Sequence, residues 1–528
     1  MWLLAFLLFL PIFALFWESF SGFSEHFSHL YHTVLFIYIK NSLILLVGVC
    51  LMAIIWGVPS AYFVSRFQFP GRKFFRWALL LPLALPAYLV AFVYTNILDY
   101  AGPIQIFLRQ LFEWQTASDY WFVDMRTMGG AIFVLSLVFS PYIFWLSNIN
   151  FSEQSMSLIH AAKLQGKSQQ QIFWRIQLPL ARPAIAVAST LVAMETLADY
   201  GTVAYFSVWH ITTAIFNAWI DLGDLPLASQ LSCLTLLFVV VLIVLEKRSR
   251  RKTTLYAHEY EPIVLEKPKK VNAWLMTGWC TLVWSLAFLV PSIWLINEAY
   301  VYIDQTDWSV FYQMSMTSFS LAFWVALIAV IIAFILQVAK RVNFPHATLL
   351  TRMASLGYAI PGTVLAIGVL IVTSTLDHWI NDGVVYFGGS IIGLVFSGTL
   401  LAIGFAFLCR FSAVAIGSVE SGFEKIPNSY DEAAKLQGHY LRSIAQKIWL
   451  PLLKSSLFTA FLLVFLESLK ELSAALLLRP FNVETLSTYI YQYMATERFE
   501  LVSIPALLMV LIGLPPVLLL TYSMDKRK

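Results

Sequence analysis

The hexapeptide AAKLQG stands at 161–166 and again at 433–438, and thirteen residues after each glycine a Leu-Pro pair ends in Pro179 and Pro451. The same offset of 272 pairs Ile172 with Ile444, Ile176 with Ile448 and Leu178 with Leu450. Around each copy apolar residues recur every fourth position, as on one face of a helix, and Gly166 and Gly438 interrupt that face. Glycine takes positive φ without steric cost, so each copy reads as a short helix closed by a sharp turn. The prolines suit a bend or the first turn of the helix that follows.

These segments sit in a chain that is otherwise a membrane protein. Hydrophobic residues make up 59% of its 528 residues and charged ones 12%, too apolar for a soluble domain of this length. The net charge of +4 is small, and the basic residues sit in short hydrophilic breaks, which leaves no nucleic-acid footprint. Cys50, Cys233, Cys280 and Cys409 lie in or beside apolar runs without a CxxC pair, and read as small buried hydrophobes.

Runs long enough for a hydrocarbon core about 30 Å thick are expected near 2–17, 42–64, 77–98, 129–149, 184–206 and 227–245. A second set falls near 273–296, 318–338, 353–374, 390–409, 455–478 and 501–523. The predicted fold is an all-α polytopic membrane protein with about twelve transmembrane helices in two parallel six-helix repeats. The first run lacks a cleavage motif and reads as an uncleaved helix. With the amino terminus inside, the cytoplasmic breaks hold 28 of the 34 Lys and Arg, which places both termini and both AAKLQG loops in the cytosol. The expected halves are 1–245, with a core at about 38–245, and 273–528, with a core at about 314–522. A basic tether at 246–272 joins them; a lipid- or nucleic-acid-binding tract is the sharper alternative, but cytoplasmic loops are basic in any case and a plain tether is the reading taken. An even number of helices separates equivalent points, as a pseudo-twofold along the membrane normal requires. Pro82, Pro86 and Pro361 fall in equivalent third spans and are expected as kinks.

Two further groups of residues invite functional readings. Glu195 and Asp199 are one helical turn apart, as are Glu467 and Glu471, at the common offset of 272. The first of each pair lies roughly 18–24 Å along its helix and the second about 6 Å beyond, toward the outer half. Carboxylates at that depth line a polar pathway suited to a cationic solute, or lock helices together through a partner such as Lys470. Glu25, His26, His29 and His32 repeat at helical spacing on the outer side and form the one candidate metal cluster. Interfacial packing is the simpler reading of them.

The run EAAKLQG at 432–438, followed by IWLP at 448–451, resembles the EAA loop of ABC-importer permeases. That resemblance implies a type I importer fold in the bacterial inner membrane. It also implies that Glu432, Ala433, Ala434, Gly438 and Pro451, and His160, Ala161, Ala162, Gly166 and Pro179, belong to helices that couple the permease to two copies of an ATPase subunit. His160 stands where the family has glutamate, so Glu432 is expected to matter more than His160. ATP and Mg would be held by the ATPases, with no cofactor bound by this chain. Gly166, Lys167 and Ser168 end like a phosphate-binding loop, but Ala161 replaces its leading glycine. METLADYG at 194–201, DYAGPIQ at 99–105, FSVWHITTAIFNAW at 206–219 and KELSAALLLRPFNVETLS at 470–487 are similar to fused iron(III) permeases served by a periplasmic binding protein. Ser473 departs from that pattern, where proline is expected. Thiamine, phosphonate, polyamine and sulfate permeases share the loop, and a proton-driven secondary transporter using Glu195 and Glu467 is the reading from another class. Besides the ATPase and binding protein, the expected partner is membrane lipid.

Overall fold

A computed structural model describes residues 1–22, 24–250 and 265–525. Most of the expected tether, 251–264, lies outside them. Among the described residues there is no strand, only an isolated bridge between Phe67 and Glu266. Eleven helices are long and apolar enough to cross a bilayer, and the bent pair Arg72–Ala84 and Ala87–Phe112 makes twelve when taken as one span.

Several expected crossings are corrected. The run 77–98 is not continuous, because its arms meet at 95° around Leu85 (φ −95, ψ 125) and Pro86 (φ −62, ψ 139). Proline drives the residue before it out of the α region. Ile360 (φ −94, ψ 131) and Pro361 are extended in the same way before helix Gly362–Tyr386. Pro86 and Pro361 thus start helices instead of kinking them. The run expected at 390–409 begins later, as Leu400–Phe423. The buried Asp377 holds the preceding segment as a loop, accepting the N–H groups of Val395, Phe396 and Ser397 at 3.0, 2.8 and 2.8 Å. The displacement carries Arg410, expected at the cytosolic boundary, into the middle of a spanning helix, where it is buried.

The chain packs as two compact units that are discontinuous in sequence. One comprises Met1–His32, Ala214–Leu236 and Asp307–Gln492, the other Thr33–Thr213, Leu237–Thr306 and Tyr493–Lys528. Each therefore combines most of the core of one sequence half with the first spanning helix of the other and with part of the other's last spanning segment, Ala214–Leu236 in one and Tyr493–Lys528 in the other. In the first unit Trp308–Arg341, Leu400–Phe423 and Leu450–Lys470 pack together, and Trp2–Ser21 lies on Gly362–Tyr386. In the second, Leu35–Arg66, Met128–Glu153 and Leu178–Ala198 form the equivalent group, with Lys270–Trp284 against Leu35–Arg66. Gly48 and Gly57 permit that packing, since a Cβ at either would collide with Ile132 or Ile143. Close approach through small residues is how helices associate where lipid removes the hydrophobic driving force.

Candidate functional site

Each AAKLQG segment closes a short helix, Met156–Leu164 in one loop and Asn428–Leu436 in the other. Gly166 has φ +73 and Gly438 φ +80. The left-handed residue lets the next N–H turn back onto the helix, from Lys167 to the Ala162 carbonyl (3.2 Å) and from His439 to that of Ala434 (3.0 Å). One face of each helix is seated on the protein. Met156, Ile159, Ala162, Ile172 and Ile176 form the apolar cluster under the first. The opposite face is bare, with Leu164 90% and Leu436 89% exposed. His160, Ala161, Glu432 and Ala433 lie on it, whereas Ala162 and Ala434 are buried.

Both loops join a spanning helix through the same irregularity. Residues Phe173–Gln177 and Ala445–Trp449 form single π turns, in which the N–H of Leu178 or Leu450 reaches back five residues, to Phe173 or Ala445. Pro179 and Pro451 follow at once. A proline offers no N–H to the carbonyl one turn back, and a widened turn accommodates that loss without ending the helix. The Leu-Pro pair thus fixes a continuous connection from loop to membrane, where a bend was one of the two expectations.

Beneath the exposed faces the loops differ. In the second, Asp431 is buried and accepts from Arg341 Nε (2.6 Å) and Trp449 Nε1 (2.8 Å), while Arg341 Nη2 donates to the Ile426 carbonyl (2.9 Å). This node ties the exposed helix to the ends of Trp308–Arg341 and Leu450–Lys470. In the first loop Ile159 occupies the place of Asp431 and Gln177 that of Trp449. Arg66 ends Leu35–Arg66 as Arg341 ends its helix, and its Nη2 likewise donates to the carbonyl before the loop helix, that of Gln154 (3.3 Å). Sequence reading missed the node, although matched arginines at the ends of the two long helices were a usable signal.

The four intramembrane carboxylates separate by role. Helix Leu178–Ala198 stops before Asp199 and Leu450–Lys470 before Glu471, and both acids are extended. Each caps the short helix beyond it. Asp199 accepts from the Thr202 and Val203 N–H groups at 3.0 and 3.2 Å, and Glu471 from Ala474 N–H at 3.1 Å. Their carbonyls accept from Thr212 (3.0 Å) and Ser487 (2.8 Å) in turn, so the two breaks are built alike. Glu471 also pairs with Arg410 Nη1 at 2.9 Å, the arginine and glutamate side chains being 9% and 8% exposed. The cation paired with Glu471 is therefore Arg410, at a place where Lys470 was the partner considered from sequence. Glu195 and Glu467 stand one turn earlier and are half-buried.

The outer histidine group folds as helix Glu25–Thr33. His26 Nδ1 lies 2.7 Å from Asp224, which also accepts from Ser24, so the structure uses His26 to hold this helix to the Asp224 turn. Among the described residues no set of three His, Cys, Asp or Glu is placed to hold a metal ion.

Two segments of the chain, 53–254 and 329–527, match the family described as binding-protein-dependent transport system inner membrane component. Among known proteins, the Fe(3+)-transport system permease protein FbpB 2 of Haemophilus influenzae is 25% identical over 494 residues, covering 92% of this chain and 90% of the relative. The ferric transport system permease protein FbpB of Actinobacillus pleuropneumoniae is 23% identical, covering 86% of this chain and 66% of the relative. A putative ferric transport system permease protein FbpB 1 of Haemophilus influenzae is 23% identical, covering 83% and 70%.

Proposed function

We propose that this chain, which belongs to the family of binding-protein-dependent transport system inner membrane components, is the permease of an ATP-driven importer for iron(III). It is a multi-pass inner membrane protein and a transport subunit, not an enzyme. In this reading a periplasmic protein delivers iron to the outer mouth. Two ATPase copies, holding ATP and Mg, dock at 155–170 and 427–442, and both termini are cytosolic. The observation that carries the reading is the pair of loop helices, seated on one face and presenting Leu164 and Leu436 almost fully exposed on the other. Closure of the ATPases on nucleotide would draw these helices together. The unbroken connection through Pro179 and Pro451 would then move the helices that bear Glu195 and Glu467 between inward-open and outward-open states. Iron as the cargo is supported by the names of the relatives that align over most of this chain. Glu195 and Glu467, half-buried within the spanning helices themselves, are the proposed pathway carboxylates, and Asp199 and Glu471 cap the short helices beyond them.

Uptake of labelled iron and of labelled thiamine in a deletion strain tests the cargo: iron uptake should fall and thiamine uptake persist, and the reverse result would exclude iron. Docking is tested at Gly438. No atom lies within 4 Å of a Cβ built there, so the effect of a substitution is that of φ +80 alone. Alanine should cost about 1–2 kcal/mol of loop stability, asparagine less and valine more. ATPase co-purification should weaken progressively from asparagine through alanine to valine while membrane insertion is unchanged.

A further inference from the structure

The first loop contains a buried arginine for which its own sequence repeat supplies no acid. Arg66 is 2% exposed, and the position equivalent to Asp431 is Ile159. Its side chain meets Met156 Sδ at 3.0 Å and the carbonyl and side-chain oxygens of Gln154 at 3.3 and 3.4 Å, with Nε lacking a hydrogen-bond partner. A buried guanidinium with no carboxylate is costly. A carboxylate does reach this corner, from a segment far along the chain. Glu266, in the last part of the expected tether, pairs its backbone with the end of helix Leu35–Arg66. Its N–H donates to the Arg66 carbonyl at 3.0 Å, and its carbonyl accepts from Gln68 N–H at 2.8 Å. Its side chain meets Lys163 of the loop helix at 2.9 Å, and its charge also acts on Arg66 and Tyr62.

We propose that residues 265–268 are a strap that seats the first coupling helix, with Glu266 as its positioning residue. In the second loop Asp431 joins the coupling helix directly to Arg341 at the end of Trp308–Arg341. In the first, Glu266 makes the corresponding join in two steps, by backbone pairing to Arg66 and Gln68 and by the ion pair to Lys163. The segment between the halves is thus part of the coupling apparatus, and the first loop acquires from it the acid that its own repeat lacks. The transport consequence rests on the docking role proposed above, whereas the seating itself does not.

The test uses the complete permease–ATPase complex. A zero-length carbodiimide reagent should join Lys163 to Glu266 as an amide, identified by mass spectrometry of the digested chain. Glu266→Gln should lower substrate transported per ATP by about two- to fivefold, the scale of a partly exposed ion pair, with ATPase co-purification and detergent-stable yield unchanged. Glu266→Lys should be more severe, and Lys163→Glu combined with Glu266→Lys should recover part of that loss. Absence of the amide, or wild-type transport per ATP in Glu266→Gln, would overturn the strap. Failure of the wild-type chain to bind the ATPase, with the amide present, would instead remove the docking reading and leave the seating intact.

Discussion

Replacing Arg410 by methionine is expected to destabilise the permease by about 3–5 kcal/mol, because it leaves the Glu471 carboxylate buried without its counter-charge. Arg410 Nη1 and Glu471 Oε1 are 2.9 Å apart, and both side chains are buried. A Cβ at Gly362 would collide with both groups, so no side chain is available there to fill the gap. Combining Arg410→Met with Glu471→Gln should recover most of the loss, since removing both charges restores neutrality. The comparison is read from the thermal unfolding of the detergent-solubilised protein. Equal stability of the single and double variants would show that the charge pair is not what matters at this site.

Asp431→Ala is expected to have the second largest effect, and a more local one. The substitution strips a carboxylate from Arg341 and from the Trp449 indole, at 2.6 and 2.8 Å, where the arginine and aspartate side chains are only 14% and 11% exposed. A loss of about 3 kcal/mol in the seating of helix Asn428–Leu436 follows from exposing one member of a largely buried pair. The spanning helices need not unfold, so the protein should insert normally while nucleotide hydrolysis becomes insensitive to substrate and binding protein. Asp431→Asn should be milder, because the amide oxygen can still accept from one donor. Substrate-stimulated ATPase activity measured on both variants, at equal amounts of bound ATPase, checks this ranking.

The parts of the molecule that repeat or alternate in polarity were legible in the sequence. AAKLQG at a fixed offset located both loop helices, and the glycines after them take the positive φ that their place in the pattern required. Apolar runs located the spanning helices, because length and hydropathy are what a bilayer selects. Pairings between distant residues were not legible. Arg410 closes an apolar run and reads as a cytosolic boundary charge until Glu471, just past the end of another helix, is seen beside it. The Leu85–Pro86 and Ile360–Pro361 breaks were underestimated for a related reason: hydropathy is blind to backbone direction, and a run of apolar residues continues across a break in the helix, which at Leu85–Pro86 turns the chain by 95°. Asp199 and Glu471 were expected to continue their helices by the i, i+4 spacing. A carboxylate near a helix end can accept backbone N–H groups in place of continuing the helix, and here each caps the following helix. Asp431 escaped notice because it is a single acid beside Glu432, and only the fold shows that one is buried and the other exposed.

The paired docking of an ATPase at the two exposed loop helices is tested most directly by placing a photo-activated cross-linking side chain at Leu164 and, separately, at Leu436. These leucines are 90% and 89% exposed, so neither change disturbs the seated faces. Irradiation of membranes containing the assembled transporter should attach the ATPase at both positions. Substrate uptake that continues in the same membranes with no ATPase attached at either position would contradict coupling through these loops.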